Sequence, residues 1–395
     1  MRSDGPPVRQ RVQELAEQVL PVLVRDAPDV DDAARFPEAG VRLLRDNGLL
    51  GLLVPTTYGG LGGDLGDMVT VAQTLATGCL STAMIWAMHC QQVDAIVRHG
   101  TLRLRDELLP KIAAGEHYLA SITTEPVKGG HLLTAGASLQ EVDQSFKVER
   151  HAPVVTGGQH ADGYLVTMRE SETAPAHRVS LVYVAAQAAR VEPLGDWNPL
   201  GMRGTHSGGL RLSGMIPAHH MVGRPGEFRA VALDSMIVVG HLAWASCWLG
   251  TARSALSDVV ALARSRERPR GLDPASELSS ERLGRIRLDL EVVGAYLHRV
   301  LDEVLGHRRA GRSLDSPETQ IHINALKVLA AELTFRAVDR LVQLTGMATG
   351  YLKESSIPLE RHFRDLRSAS LNYADDRLLT AMGKLCLLDR SVRLA

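Results

Sequence analysis

GYLVTMRESETAPAHRVSLVYVAA, residues Gly163–Ala186, is the stretch that separates this chain from an all-helical protein. Its two ends, GYLVT (Gly163–Thr167) and VSLVYVAA (Val179–Ala186), are rich in β-branched and aromatic residues. Such side chains fit a pleated surface and lose rotamer freedom on a helix. The same character returns in FKVER (Phe146–Arg150) and GLRLSGMI (Gly209–Ile216), with Gly, Pro, Asp and Asn punctuating the intervals. The pattern predicts a small all-β region of about 100 residues beginning near Tyr118.

On both sides of it the period changes to that of helices. Val12, Leu15 and Val19 recur at helical spacing, and Pro21 is expected to interrupt the run. PEAGVRLLRDNGLLGLLVP predicts a short helix ending in a loop, and YGGLGGDLGD (Tyr58–Asp67) is punctuation. MVTVAQTLATGCLSTAMIWAMHCQQVDAIVRHG is apolar on nearly every side, as a buried helix is. After Pro225 a long apolar helix is expected over Ala230–Ala263. Ile286, Leu290, Val293, Leu297, Leu301 and Val304 then make the core stripe of a bundle helix. Ser316-Pro317-Glu318 starts another helix, whose stripe is Ile323, Leu326, Ala330, Leu333, Ala337 and Leu344. The chain therefore divides into an N-terminal helical domain (1–117), a middle β domain (118–224) and a C-terminal helical bundle (225–395).

The totals set limits on function. With 45% hydrophobic and 23% charged residues, 395 residues supply an ample core, and aromatics at 4% leave Leu, Val and Ala to fill it. A formal net charge of −1 without a long basic run excludes an electrostatic footprint for nucleic acid. The four cysteines (Cys79, Cys90, Cys247, Cys386) have no CxxC spacing and are expected to be reduced, buried thiols, with no metal site implied. The N-terminus is polar without an apolar signal core, and no run reaches the ~18 uninterrupted apolar residues of a membrane span. A cytoplasmic protein without membrane contact is expected.

Five segments in order carry a resemblance: VPTTYGGLGG, SITTEPVKGG (Ser121–Gly130), PVVTGGQHADGYLVT, PLGMRGTHSGG (Pro199–Gly209) and GMATGYLKESSIPLERHFRDLR. Together they resemble the acyl-CoA dehydrogenase family over nearly the whole chain. The resemblance implies an α+β fold with an N-terminal helical domain, a middle β-barrel or sandwich and a C-terminal four-helix bundle. It also implies a flavin cofactor, FAD, and a homotetramer or homodimer. An isoalloxazine needs apolar walls and a few donors aimed at its ring nitrogens and carbonyl oxygens. Thr123, Thr124 and Thr156 offer hydroxyls and backbone N–H groups at strand ends. Gly129 and Gly130 let backbone approach a pyrophosphate. Gln343 and Gly346, in QLTGMATG, fall where the family contacts the cofactor of a neighbouring subunit.

The chain also departs from that pattern. Val154 takes the place of an aromatic that shields the flavin face, leaving more room. RSRERPRGLDP lacks the family's Phe, so Arg266 brings charge to the cofactor without stacking. The family's reaction removes an α-proton to a carboxylate while a hydride passes to flavin. In RDLRSASLNYADD (Arg364–Asp376) the glutamate position that the resemblance implies falls on Tyr373 counted from Arg364-Asp365, or nearer Asn372 counted back from Asp375-Asp376, and the alternative helix position falls on Gly240, beside His241. Tyr373, Asp375 and His241 are the candidate catalytic groups. Using a phenolate of pKa ~10 near neutral pH would cost about 4 kcal/mol. His89, Cys90, His131 and Ser207 are candidate substrate contacts.

The first functional expectation is α,β-dehydrogenation of an acyl thioester, on coenzyme A or an acyl carrier protein, with a displaced base and an electron-acceptor flavoprotein. The alternative is a monooxygenase on the same fold, fed reduced flavin (FMN in that case) by a flavin reductase. It needs no base for an α-proton, and the room at Val154 suits it. A third reading is a non-catalytic flavin- or acyl-binding relative.

Overall fold

The computed structural model describes residues 8–126, 131–269 and 272–395. Five helices come first: α1 (Val8–Asp32), α2 (Glu38–Asp46), α3 (Leu65–Gly78), α4 (Leu80–His99) and α5 (Leu102–Ala113). Helix α1 runs through Pro21 and Pro28, against the expected break at Pro21. An interior proline costs roughly 3 kcal/mol. Six buried apolar residues on one stripe, Val12, Ala16, Val19, Leu23, Ala27 and Val30, more than offset it. The glycine-rich segment ends at Asp64, whose carboxylate accepts from the N–H groups of Gly66 and Asp67 while Asp67 returns a bond to the Asp64 N–H. That reciprocal cap starts α3.

Strands occupy Leu119 to Val222 and form two four-stranded sheets. One has the order β1 (Leu119–Ile122), β4 (Gly163–Arg169), β5 (Val179–Ala185), β8 (Met221–Val222). The other is β2 (Gln140–Val142), β3 (Ser145–Ala152), β7 (Gly209–Pro217), β6 (Ala189–Leu194). β1 pairs with β4 in parallel, and every other pairing between these strands is antiparallel. Strands β4 and β5, the two ends of Gly163–Ala186, pair Leu165 with Tyr183 and Thr167 with Leu181.

The C-terminal part is helical again. A single turn, α6 (Phe228–Val231), passes through a π turn at Ala232–Met236 into α7 (Ile237–Arg264). By length and composition Phe228–Arg264 is apolar enough to cross a membrane, but 89% of its most apolar window is buried in protein. It is the central core helix. α8 (Glu277–Arg309) and α9 (Pro317–Gly346) pack against it, and α10 (Leu359–Arg367) and α11 (Asp375–Cys386) close the bundle. The stripe on α8 is buried as expected, and Ser316 caps α9 by accepting from Thr319 N–H. Leu333 alone of the α9 stripe is only half-buried. Cys79, Cys90 and Cys247 are buried, but Cys386 is exposed on α11, against expectation.

Two of the motif segments hold each other. The Asp365 carboxylate accepts from Met202 N–H at 2.5 Å, and Arg364 forks onto Asp31 of α1. A Cβ on Gly201 would lie 2.0 Å from the Arg364 carbonyl oxygen. Gly201 is thus the residue that lets the β domain dock on α10.

Candidate active site

A cavity of about 380 Å³ opens where the three parts of the chain meet. That is within the range of small-molecule sites, about 300–1,000 Å³. The end of β1 contributes Ser121, Thr123 and Thr124, and the segment after β3 contributes Val154 and Thr156. Met88 and Gln91 come from α4, Met236 and Ile237 from the π turn and its exit, and His241 and Trp244 from α7. Leu371, Asn372, Tyr373 and Ala374 of the α10–α11 loop, with Arg377, form the remaining wall.

The threonine wall is held from behind. Thr124 Oγ1 donates to the Val154 carbonyl at 2.9 Å, and Ser207 Oγ lies 3.1 Å from Thr156 Oγ1 and 2.8 Å from Thr205 Oγ1. Glu125 accepts from the N–H groups of Gly136 and Ala137, both at 2.8 Å, and from the buried Arg150 guanidinium. Burial pulls Arg150 down to about 10, with Glu125 opposing. The acidic residue of SITTEPVKGG is therefore a clamp on the strand end.

On α7, the space beside Gly240 is taken up by the side chains of Gln91 and Trp244. A Cβ there would lie 2.6 Å from Gln91 Nε2 and 3.3 Å from Trp244. Gln91 is fixed by donating to the Met236 carbonyl at 2.5 Å, the π turn having aimed that oxygen inward. His241 Nδ1 lies 3.2 Å from the Ile323 carbonyl, so Nδ1 carries the proton and Nε2 is left as an acceptor. Burial first, then repulsion from Lys327, drops His241 to about 3. The ring is neutral at pH 7 and a poor proton acceptor.

Tyr373 sits at φ +56°, in the left-handed region. Burial raises its phenol above the ordinary value, which adds to the cost of ionising it. The loop is held in this form by Lys327, whose Nζ donates to the carbonyls of Ala369 and Tyr373, both at 2.9 Å, and to Asp375 Oδ1 at 2.5 Å. Asp375 faces that lysine and is not among the cavity-lining residues. Burial raises its carboxyl, with Lys327 opposing.

The other residues singled out in the sequence are dispersed. His89 is fully buried beneath the cavity wall, with Nε2 3.0 Å from the Leu50 carbonyl and Nδ1 accepting from Leu119 N–H. Burial lowers it to about 4, and it ties α4 to β1 rather than facing a ligand. Cys90 is likewise buried, its thiol pushed well up by burial. His131 is exposed, and its neighbour Leu132 lines the cavity instead. Ser207 lies behind Thr156. Arg266 is on an exposed turn after α7. Gln343 is exposed and donates to Asp339, and Gly346 ends α9 at φ +72°. Gly129 and Gly130 lie outside the described residues.

Sequence reasoning missed Trp244, Arg377 and Lys327. Lys327 left a signal, a cation inside the apolar stripe between Leu326 and Ala330. The others look like ordinary helix and loop residues until the elements converge.

The lining fits an acceptor-rich planar ring. Trp244 Nε1, Asn372 Nδ2 and Arg377 Nη1 are buried donors with no hydrogen-bond partner among the described residues. Thr123, Thr124 and Thr156 line the same cavity, with Met88, Leu132, Val154 and Ile237 as apolar surface. Among the described residues, the lining contains no carboxylate.

Residues 7–116 match the N-terminal domain of acyl-CoA dehydrogenases, and residues 242–373 match their C-terminal domain. The chain is 25% identical to a short-chain-specific acyl-CoA dehydrogenase of Clostridium acetobutylicum over 371 residues, 91% of each chain. It is 27% identical to the amino sugar nitrososynthase DnmZ of Streptomyces peucetius over 378 residues, 92% of this chain and 89% of that one. In fold it is similar to the dibenzothiophene monooxygenase of Paenibacillus sp. A11-2, at a TM-score of 0.83 and 20% identity, covering 96% of this chain and 98% of that one.

Proposed function

Since the chain belongs to the acyl-CoA dehydrogenase family, we propose that it is the oxygen-using kind of flavoenzyme, a reduced-flavin-dependent monooxygenase. It is an oxidoreductase of the FAD-dependent acyl-CoA dehydrogenase type, and FMN replaces FAD on this reading. One observation carries the choice: the cavity lining holds no carboxylate among the described residues, and the lining His241 and Tyr373 are poor bases. His241 is held neutral at about 3, and Tyr373 is raised further from ionisation. α-Proton removal needs a positioned group that accepts the proton near the working pH.

The chemistry supplied by bound reduced flavin is two-electron activation of oxygen, with one oxygen atom passing to substrate and the other leaving as water. The chain's part is to hold and shield. Thr123, Thr124 and Thr156 would bind the ring edge, while Trp244, Asn372 and Arg377 offer donors to electron-rich atoms. Met88, Leu132 and Ile237 exclude water that would quench a reactive oxidant. Val154 leaves one face open for oxygen and substrate. A cytoplasmic flavin reductase is the matching partner. Gln343 and Gly346 would reach the cofactor of a neighbouring subunit in a homodimer or homotetramer.

A second reading, dehydrogenation of an acyl thioester on coenzyme A or a carrier protein with transfer to an acceptor flavoprotein, is favoured by Asp375. Its Oδ2 is buried without a hydrogen-bond partner among the described residues, one residue past the lining Ala374. The test is oxygen uptake by the full chain supplied with a flavin reductase, NADH and flavin. Protein-dependent uptake coupled to oxygenation of an added amine, thioether or aromatic supports the proposal. Anaerobic bleaching of the bound flavin by an acyl-CoA would replace it with the second reading.

A further inference from the structure

Away from the cavity, two imidazoles and a carboxylate converge where the helical domain meets the β domain. Glu107 is on α5, and His219 and His220 lie in the single 3-10 turn Ala218–His220 that leads into β8. Glu107 Oε2 is 3.2 Å from His219 Nε2 and 3.4 Å from His220 Nε2, and all three ligand atoms lie within 4.8 Å of one another. We propose that Glu107, His219 and His220 form a binding site for a divalent transition-metal ion, Zn²⁺ foremost, which joins the two domains.

Three features argue for coordination over a hydrogen-bonded cluster. Both imidazoles aim at the same oxygen, Oε2, although a carboxylate has two oxygens to share. The His219 separation of 3.2 Å sits at the long end of a hydrogen bond, and the His220 separation of 3.4 Å lies beyond it. They match the spacing of neighbouring ligand atoms about a tetrahedral ion, about 3.3 Å for bonds of ~2.0 Å. The donor set selects the ion, because imidazole nitrogens suit Zn²⁺ and its neighbours, whereas Mg²⁺ and Ca²⁺ take oxygen.

The carriers are fixed independently of any ion. Thr101 Oγ1 caps α5 through Leu104 N–H at 3.1 Å and lies 2.9 Å from the His219 carbonyl, so one residue positions both sides of the site. Ala218 N–H donates to the Gln144 carbonyl at 3.1 Å. Side-chain exposure falls from 37% at Glu107 through 18% at His219 to 8% at His220. That leaves one open side for ion entry and for a water as fourth ligand. None of the three lines the flavin cavity, so the site is structural and its occupancy is separable from turnover.

The experiment uses the full chain with its flavin, stripped with EDTA and desalted, then titrated with ZnCl₂, CoCl₂ or MgCl₂. The expected result is one equivalent of Zn²⁺ bound, a raised melting temperature, and a visible absorption band of low-symmetry Co²⁺. Mg²⁺ should produce neither change. Glu107→Gln keeps the side-chain shape and should weaken Zn²⁺ binding about tenfold or more, and His219→Ala/His220→Ala should abolish the Co²⁺ band. No Co²⁺ band in the wild type, or Zn²⁺ affinity unchanged in Glu107→Gln, would overturn the site. Circular dichroism and the flavin spectrum in EDTA report whether each variant is folded, and Glu107→Gln decides the matter if the double variant is not.

Discussion

Lys327→Met is the perturbation that best probes how the active-site loop is held. The lysine is buried on α9, and its ammonium supplies donors to the Ala369 and Tyr373 carbonyls and to Asp375 Oδ1. Methionine fills the same length without a charge or a donor. Two carbonyls lose their partner, and the Asp375 carboxylate is left buried with no cation. Breaking one side of a buried ion pair costs about 3–5 kcal/mol. The Asp375 carboxyl, already raised by burial, should rise further and take up a proton, which limits the loss to the lower half of that range. Urea unfolding should therefore show about 3 kcal/mol lost at pH 7 and less near pH 5, where the acid is neutral. The double variant Lys327→Met/Asp375→Asn should recover a large part, because no charge remains. Because Tyr373 at φ +56° depends on this anchor, flavin affinity should fall with stability. A single variant within about 0.5 kcal/mol of wild type, with unchanged flavin affinity, would refute the reasoning.

Other consequences follow from the same contacts. His241 is held at about 3 against its ordinary 6.5, so its contribution is full above pH 6.5 and is lost as pH falls toward 3. His241→Asn should then flatten the acid side of the stability profile by about 1.4 kcal/mol per pH unit between roughly pH 6 and 4, and an unchanged slope would refute it. Gly201→Ala should destabilise by about 3 kcal/mol, since its Cβ would meet the Arg364 carbonyl at 2.0 Å, and thermal melting checks it. Glu125→Gln leaves the buried Arg150 short of its counter-charge and should cost about 3–5 kcal/mol while loosening flavin binding, read by urea unfolding and fluorescence titration.

Much of the architecture was legible because it rests on local periodicity. The β-rich ends of Gly163–Ala186 pair as neighbouring strands, and the α8 stripe is buried residue for residue. Pro21 was misread because a local penalty was weighed without the six buried side chains that hold α1 together. The site was less legible because it is assembled from distant segments. Nothing local announces that Gln91 of α4 fills the space over Gly240 of α7. Nor does the order Tyr373, Ala374, Asp375 reveal that the lysine on α9 turns the acid away from the cavity. His89 and Cys90 illustrate the opposite error: polar atoms near a pocket in sequence, but buried within the helix packing.

We propose a cavity that binds flavin yet, among the described residues, has no group able to take an α-proton from an acyl thioester. Incubating the flavin-loaded protein with a series of acyl-CoA thioesters in D₂O, and following deuterium at Cα by mass spectrometry, tests it most directly. The account predicts no exchange above the protein-free rate for any chain length. Protein-dependent exchange that disappears in Asp375→Asn would contradict it and place the base at Asp375.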